Sequence, residues 1–145
     1  MKDMYMINAA DARKEWSNVM DRAVRERPQF IRHNQNEMIL ASLTLFESVL
    51  AACKYTAHKM LEDDGSVTLL LDELDLVENG SNEFDAKYAL AKSILEYAED
   101  FYDNFYLYSL APNRKGHVPY VLKAIILNNS EKISALITVS EDGGN

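Results

Sequence analysis

Residues able to do chemistry are few in this sequence, and their spacing keeps them apart. His33, His58, His117 and the single cysteine, Cys53, show no metal-ligand spacing among them. Cys53 falls on the apolar side of a predicted helix, where a buried thiol behaves as a small hydrophobe. Asp72, Glu73, Asp75 and Glu78 are dense enough to suggest a Mg²⁺ site. Strand alternation, however, puts Asp72 and Glu78 on one face and Glu73 and Asp75 on the other, so the carboxylates do not converge. They read as the charged guard of a solvated edge strand. No phosphate loop, nucleophile elbow or dinucleotide fingerprint occurs. The expectation is a protein that is not an enzyme and uses no metal or other cofactor.

The positive charges of the first half suggest a different kind of chemistry. Arg13 and Lys14 fall early in the first predicted helix, and Arg32 leads into a hairpin loop with His33 and Asn34 beside it. A short helix and a hairpin, doubled by two-fold symmetry, place paired guanidinium groups at adjacent grooves of a duplex. Spacing alone leaves a second reading open, in which Arg13 and Arg32 make surface ion pairs with acids such as Glu37. Net charge divides the chain, at +1 over residues 1–58 and −9 over residues 59–145. A uniformly acidic protein binds nucleic acid poorly, because phosphate neutralisation supplies most of that affinity. A split chain can bind DNA with one half and a basic partner with the other.

The elements that would position these residues can be read from length and patterning. The chain has 145 residues, 48% of them apolar and 10% aromatic, enough for one ordinary domain or two small ones and too apolar for a disordered chain. Apolar runs are short and broken by charge, so no membrane span is expected, and the first residues lack a secretory pattern. A soluble cytoplasmic protein is the expectation. Residues 4–7 predict an opening strand. Asn8 and Asp11 form a capping pair for a helix reaching about Glu26, with Ala12, Trp16, Val19, Met20 and Ala23 on one face and Pro28 beyond its end. Residues 30–32 and 38–43 predict a hairpin around Asn34-Gln35-Asn36-Glu37.

Thr44-Leu45-Phe46-Glu47 is a capping box opening a second helix, whose apolar side runs through Phe46, Val49, Leu50, Cys53, Ala57 and Leu61. Residues 62–66 are polar, contain Gly65 and predict a linker. An extended run over 67–77 ends in a turn at Glu78-Asn79-Gly80. Asn82 with Asp85 caps a long helix to about Leu110, its buried face spaced through Leu90, Ile94, Tyr97, Ala98, Phe101, Phe105 and Tyr108. Pro119 starts a further helix, and Asn128-Asn129-Ser130-Glu131 ends it and begins a last short one with Ile133, Leu136 and Ile137, before a frayed tail over 140–145. The fold expected is α+β. A strand-helix-hairpin-helix module spans 1–61, and a mostly helical module opened by one or two strands spans 62–145.

Residues 7–21, from Ile7-Asn8-Ala9-Ala10-Asp11-Ala12-Arg13-Lys14 through Trp16 to Asp21, resemble the opening of the prevent-host-death (Phd/YefM) antitoxins. Phe30-Ile31-Arg32-His33-Asn34 and Met38-Ile39-Leu40-Ala41-Ser42-Leu43 look like that family's hairpin and its exit. Residues 44–50 match the helix that follows. The resemblance covers residues 4–57. It implies a homodimeric module that binds operator DNA and represses its own operon, with DNA contacts carried onto Arg13 and Arg32, and onto Lys14 and Asn34 as secondary positions. The sequence departs from the family pattern at Ala10, at Ile31 and in a hairpin loop without glycine.

Residues 84–108 hold 8 of the chain's 14 aromatic residues, the composition of a core or an interface. Leu74-Asp75-Leu76-Val77-Glu78-Asn79-Gly80 with Asp85-Ala86 is similar to the strand, glycine turn and helix of HicB-like antitoxins. Together the two resemblances imply a composite antitoxin of the Phd-like class grouped with RelE/RelB systems. Its acidic half would dock on a basic ribonuclease toxin and cover the toxin's RNA-binding surface. Most of the Tyr/Phe stripe reads as core, and Tyr102, Tyr106 and Tyr108 are the expected exposed anchors. The alternative is an orphan dimeric regulator that has no toxin.

Overall fold

A helical turn, α1 (Lys2–Tyr5), precedes the first strand, β1 (Met6–Asn8), in the computed structural model, which describes residues 1–141. Asn8 then caps α2 (Ala9–Lys14), its side-chain oxygen accepting from the Ala10 amide at 2.8 Å. The single helix predicted here is two, because the backbone turns at Glu15 (φ −115°, ψ 32°) before α3 (Trp16–Arg25). Strands β2 (Gln29–His33) and β3 (Asn36–Leu40) form the expected hairpin, and Asn34 supplies the left-handed residue of its turn with φ +55°. β2 is central, parallel to β1 with Ile7 opposite Ile31 and antiparallel to β3 with Ile31 opposite Met38. Ile31 meets Ala12 and Val19 in a small core beneath the two helices.

Helix α4 (Leu43–Leu50) differs from its prediction at both ends. The cap is Ser42 and not Thr44, since Ser42 Oγ accepts from the Leu45 amide at 3.1 Å. The helix stops at Leu50, and residues 55–61, predicted to continue it, form strand β4 (Tyr55–Leu61). Chain contacts divide into a unit Met1–Val49 and a second from Leu50 onward. The boundary expected at 61/62 therefore moves, because 62–66 is no linker. It is the turn of a hairpin between β4 and β5 (Val67–Leu71), closed by the Glu62 amide on the Ser66 carbonyl at 2.9 Å with Gly65 at φ +86°.

The second unit is built on a four-stranded sheet in the order β6-β5-β4-β7. β4, β5 and β6 (Leu76–Gly80) form an antiparallel meander, and β7 (Ile137–Glu141) returns parallel to β4. The β7 residues Ile137, Ser140 and Glu141 are thus a helix end and frayed tail in the prediction but a paired strand in the fold; the rest of that tail, 142–145, lies outside the described residues. Between β6 and β7 run α5 (Glu83–Asp103), α6 (Phe105–Leu110), a 3₁₀ turn (Lys115–His117), α7 (Val118–Leu127) and α8 (Ser130–Leu136). Their caps follow the sequence signals. Asn82 accepts from the Asp85 amide at 2.8 Å, Pro119 stands in the first turn of α7, and Asn129 accepts from the Lys132 amide at 2.9 Å.

The α+β class holds, with three strands opening the mostly helical part and a fourth closing it. Ala86, Leu90, Ile94, Ala98 and Phe101 on one side of α5 bury completely against Tyr55, Ala57, Val67, Leu69 and Leu71 of the sheet. Alanines at 86 and 98 keep that helix close to the strands.

Candidate nucleic-acid and partner surfaces

Cross-strand pairing places Arg32 opposite Glu37, and helical turn α1 brings Asp3 to the same guanidinium. Arg32 Nη2 donates to Asp3 Oδ1 at 2.8 Å and to Glu37 Oε2 at 3.1 Å, while Lys2 Nζ donates to Glu37 Oε1 at 2.8 Å. The hydrogen bond from Arg32 holds the Asp3 carboxyl below its ordinary range. Lys2 first and Arg32 second do the same to Glu37, and the two carboxylates raise Arg32 in turn. All of these groups are solvated, so the pairs contribute little to stability. Arg32 thus makes the surface ion pair with Glu37 that its spacing allowed.

Arg13 and Arg32 do not converge within one chain. Arg13 is exposed on α2 beside buried Ala12 and lines a groove of about 480 Å³ with Trp16, Ile31, Met38 and Leu40. Ile31 faces the helices, so alternation turns Arg32 to the opposite face of β2. Lys14 is exposed next to Arg13, and Asn34 stands at the hairpin tip. Neither Arg13 nor Lys14 makes an ion pair among the described residues. Two further arginines are partly structural. Arg22 Nε donates to the buried Gln29 at 3.2 Å, and Arg27 lies over the Tyr5 ring at 5.0 Å. The same unit leaves Trp16, Met20, Val24, Met38, Ile39, Leu43 and Val49 exposed, far more apolar surface than its small core encloses.

In the second unit, Tyr102 and Tyr106 stand 57% and 83% exposed, with Leu107 and Leu110 beside them. Glu96, Glu99, Asp100 and Asp103 are exposed on the same stretch, and no lysine or arginine occurs between Lys92 and Arg114. Tyr108 is different. It is half-buried, edge-on to Phe101 at 5.5 Å, with the Arg114 guanidinium 4.2 Å from its ring centre. Tyr108 therefore braces the core and is no exposed anchor, whereas Tyr102 and Tyr106 are exposed rings. Helical spacing through Phe101 and Phe105 sets Tyr108 on the buried face, and the fold keeps it there across the break at Asn104.

Other candidates resolve into structure. Asp72, Glu73 and Asp75 occupy the turn between β5 and β6 and not a strand. Asp72 Oδ2 lies 2.6 Å from His58 Nε2, Glu73 accepts from the Thr56 amide at 2.7 Å, and Glu78 pairs with Ser93 Oγ. No group of three or more potential metal ligands occurs among the described residues. Cys53 is half-buried in the loop after α4, not on a helix, and its carbonyl accepts from Lys123 Nζ. The sequence reading missed one constellation, in which Ser140 Oγ lies 3.0 Å from His58 Nδ1 and so completes a Ser–His–Asp chain with Asp72. Its partners come from β7, β4 and the β5–β6 turn, and alternation of 56, 58 and 60 against 138 and 140 is the signal that finds it. The imidazole engages the carboxylate through Nε2 and the hydroxyl through Nδ1, the reverse of a serine-hydrolase relay, and Ser140 Oγ also lies 3.4 Å from the Ala57 carbonyl. It clasps β7 to β4. No described helix is long and apolar enough to cross a membrane.

The chain is made of two small α+β units, one apolar and arginine-bearing at its surface and the other acidic and tyrosine-bearing. The chain belongs to the PHD-like family, described as antitoxin of toxin-antitoxin, RelE / RelB, TA system, which it matches over residues 3–139. It is also similar to a crystal structure from Syntrophomonas wolfei subsp. wolfei, described as the antitoxin part of a proposed toxin/antitoxin system. That likeness has a TM-score of 0.88 and 32% identity, covering 94% of this chain and 98% of that one. No curated protein sequence matches the chain.

Proposed function

We propose that this antitoxin neutralises a cognate ribonuclease toxin by direct binding and represses its own operon as a homodimer on operator DNA, in the cytoplasm. The observation that carries the reading is the antitoxin-family match along residues 3–139. The first unit is the Phd/YefM-like, dimerising and DNA-contacting part. Its exposed Trp16, Val24, Leu43 and Val49 favour a second copy, since an isolated unit leaves them in water. Because Arg13 and Arg32 face apart in one chain, the two-fold axis of that dimer must bring one copy's groups into register with the other's along the duplex. Arg13, Lys14 and Arg32 are the phosphate or base contacts, with Asn34 at the hairpin tip.

The second unit is the toxin-binding part. Its acidic stretch over 96–103 offers a basic partner charge complementarity, and Tyr102 and Tyr106 offer ring surface for anchoring. The HicB-like segment covers β6, of which Gly80 is the last residue and not a turn, and the start of α5. Co-expression with the product of the reading frame adjacent to its gene tests the proposal. Restored growth of a host that the neighbour alone arrests supports it; persistent arrest, with both proteins present and folded, refutes it.

A further inference from the structure

Among the described residues, Arg32 is the one cationic side chain of the first unit held by two carboxylates, and both of these are exposed. Asp3 lies in a four-residue helical turn ahead of β1 and reaches back 29 residues to the guanidinium. Its side chain is 80% exposed, so it satisfies no buried group. Glu37 pairs across the hairpin and is shared between Arg32 and Lys2. The four groups alternate in sign as Lys2, Glu37, Arg32 and Asp3. Carboxylate oxygens at 2.8 Å and 3.1 Å from Nη2 occupy hydrogen-bonding positions that a phosphate oxygen would take from the same donor.

Resting on the reading of Arg32 as a duplex contact, we propose that Asp3 and Glu37 are built-in phosphate mimics that compete with DNA for Arg32 and set the protein's affinity for it. The ligand of the opened site is a backbone phosphate of double-stranded DNA. Binding exchanges one set of ion pairs for another at a solvated site. The guanidinium gives up Asp3, and Glu37 is left to Lys2, which already holds its other oxygen. No buried charge is stranded, so the exchange is inexpensive and reversible. The N-terminal turn thereby acts on DNA binding without touching DNA. Arg13 and Lys14 have no such competitor among the described residues and give the protein its basal attraction for duplex.

Asp3→Asn is the clean probe, because Asp3 hydrogen-bonds to Arg32 and to no other side chain among the described residues. Glu37→Gln releases both Arg32 and Lys2. Binding is read by fluorescence anisotropy on two probes, a labelled random-sequence duplex and duplexes tiled across the DNA upstream of the gene, over a series of salt concentrations. Asp3→Asn should tighten binding about two- to fivefold at low salt, the range expected for one exposed ion pair. The double variant should steepen the salt dependence by about one to two released counterions. The gain from Asp3→Asn should vanish in an Arg32→Ala background. Asp21→Asn, on the exposed surface of α3, controls for the loss of one negative charge, and circular dichroism confirms the fold of each variant.

An Asp3→Asn protein that binds no tighter than wild type overturns the inference, and so does one whose gain survives Arg32→Ala or is matched by Asp21→Asn. In those cases wild-type binding to duplex persists and the operator reading stands. Failure of wild type and every variant to bind any duplex defeats that reading itself, and the inference with it.

Discussion

Replacing Gly80 by alanine tests how closely β6 and α5 pack, and that junction positions the helix carrying the acidic face. Gly80 closes β6 directly beneath the first turns of α5. A Cβ built there stands 2.3 Å from the Ala86 amide nitrogen, and 2.7 Å from both the Ala86 Cα and the Asp85 carbonyl carbon. All three are backbone atoms. The Ala86 amide also donates to the Asn82 carbonyl at 3.0 Å, so the capped helix start has to move as a piece. Ordinary contact requires a displacement of about 1 Å in a region packed at crystal-like density. Gly80 does not have a left-handed φ, so the penalty comes from contact and not from backbone strain.

Overpacking of this kind costs about 1–3 kcal/mol. For a unit of roughly a hundred residues each kcal/mol lowers the melting temperature by about 4–8 °C, so a fall of about 4–24 °C is expected. Thermal unfolding of the full chain, followed by far-ultraviolet circular dichroism, reads it. Gly116→Ala is the matched control, because its Cβ would meet nothing within 4 Å. A Gly80→Ala protein melting within about 1 °C of Gly116→Ala would show that the close approach of strand and helix is wrong.

Tyr55 is fully buried with its hydroxyl donating to the Tyr120 carbonyl at 2.7 Å, and burial pushes the phenol's ionisation upward. Tyr55→Phe should cost about 1–2 kcal/mol, seen as a lower urea midpoint with unchanged slope; an unchanged midpoint contradicts the bond. Burial holds His117 below the ordinary imidazole value, with Arg114 acting in the same sense, Asp75 opposing, and Tyr97 Oη 2.6 Å from Nδ1. The unfolded chain therefore takes up this proton first, and stability that is full above the unfolded value near 6.5 declines as pH falls below it. Urea resistance should drop between about pH 7.5 and pH 5.5, and His117→Gln should remove part of that drop; an identical profile in the variant is the contrary result. Ser140→Ala breaks the clasp on β7, so its amides should exchange with solvent faster than those of β5; equal protection in variant and wild type argues against the clasp.

Local signals carried the helices well. Asn8, Asn82 and Asn129 each precede a helix whose amides they cap, and the apolar spacing of α5 is the spacing it buries. Residues 51–61 show where such signals mislead. Leu50, Ala57 and Leu61 satisfy helical spacing, yet Tyr55 and Ala57 alternate with Thr56 and His58, and the segment becomes a strand because β5 and β7 pair on either side of it. The β7 partners lie 82 residues away, beyond the reach of a local pattern. Ile137-Thr138-Val139-Ser140 carries strand propensity, but its proximity to α8 draws it into a helical reading. The candidate DNA residues were legible by type. Their divergence was not, since it depends on the register of β2, and neither was the capture of Arg32 by Asp3. Tyr102 and Tyr106 are exposed as expected, whereas Tyr108 lies on the buried face that its spacing from Phe101 and Phe105 marks.

The central claim, that the acidic tyrosine face of the second unit grips a basic toxin, is tested most directly by titration calorimetry. The purified chain is titrated against the product of the reading frame adjacent to its gene, as wild type and as Tyr102→Ala/Tyr106→Ala. Both rings are exposed, so the variant should keep its fold. The account predicts tight wild-type binding and a loss of at least about 2 kcal/mol, roughly thirtyfold, in the double variant. Equal affinity of the folded variant and wild type would contradict it.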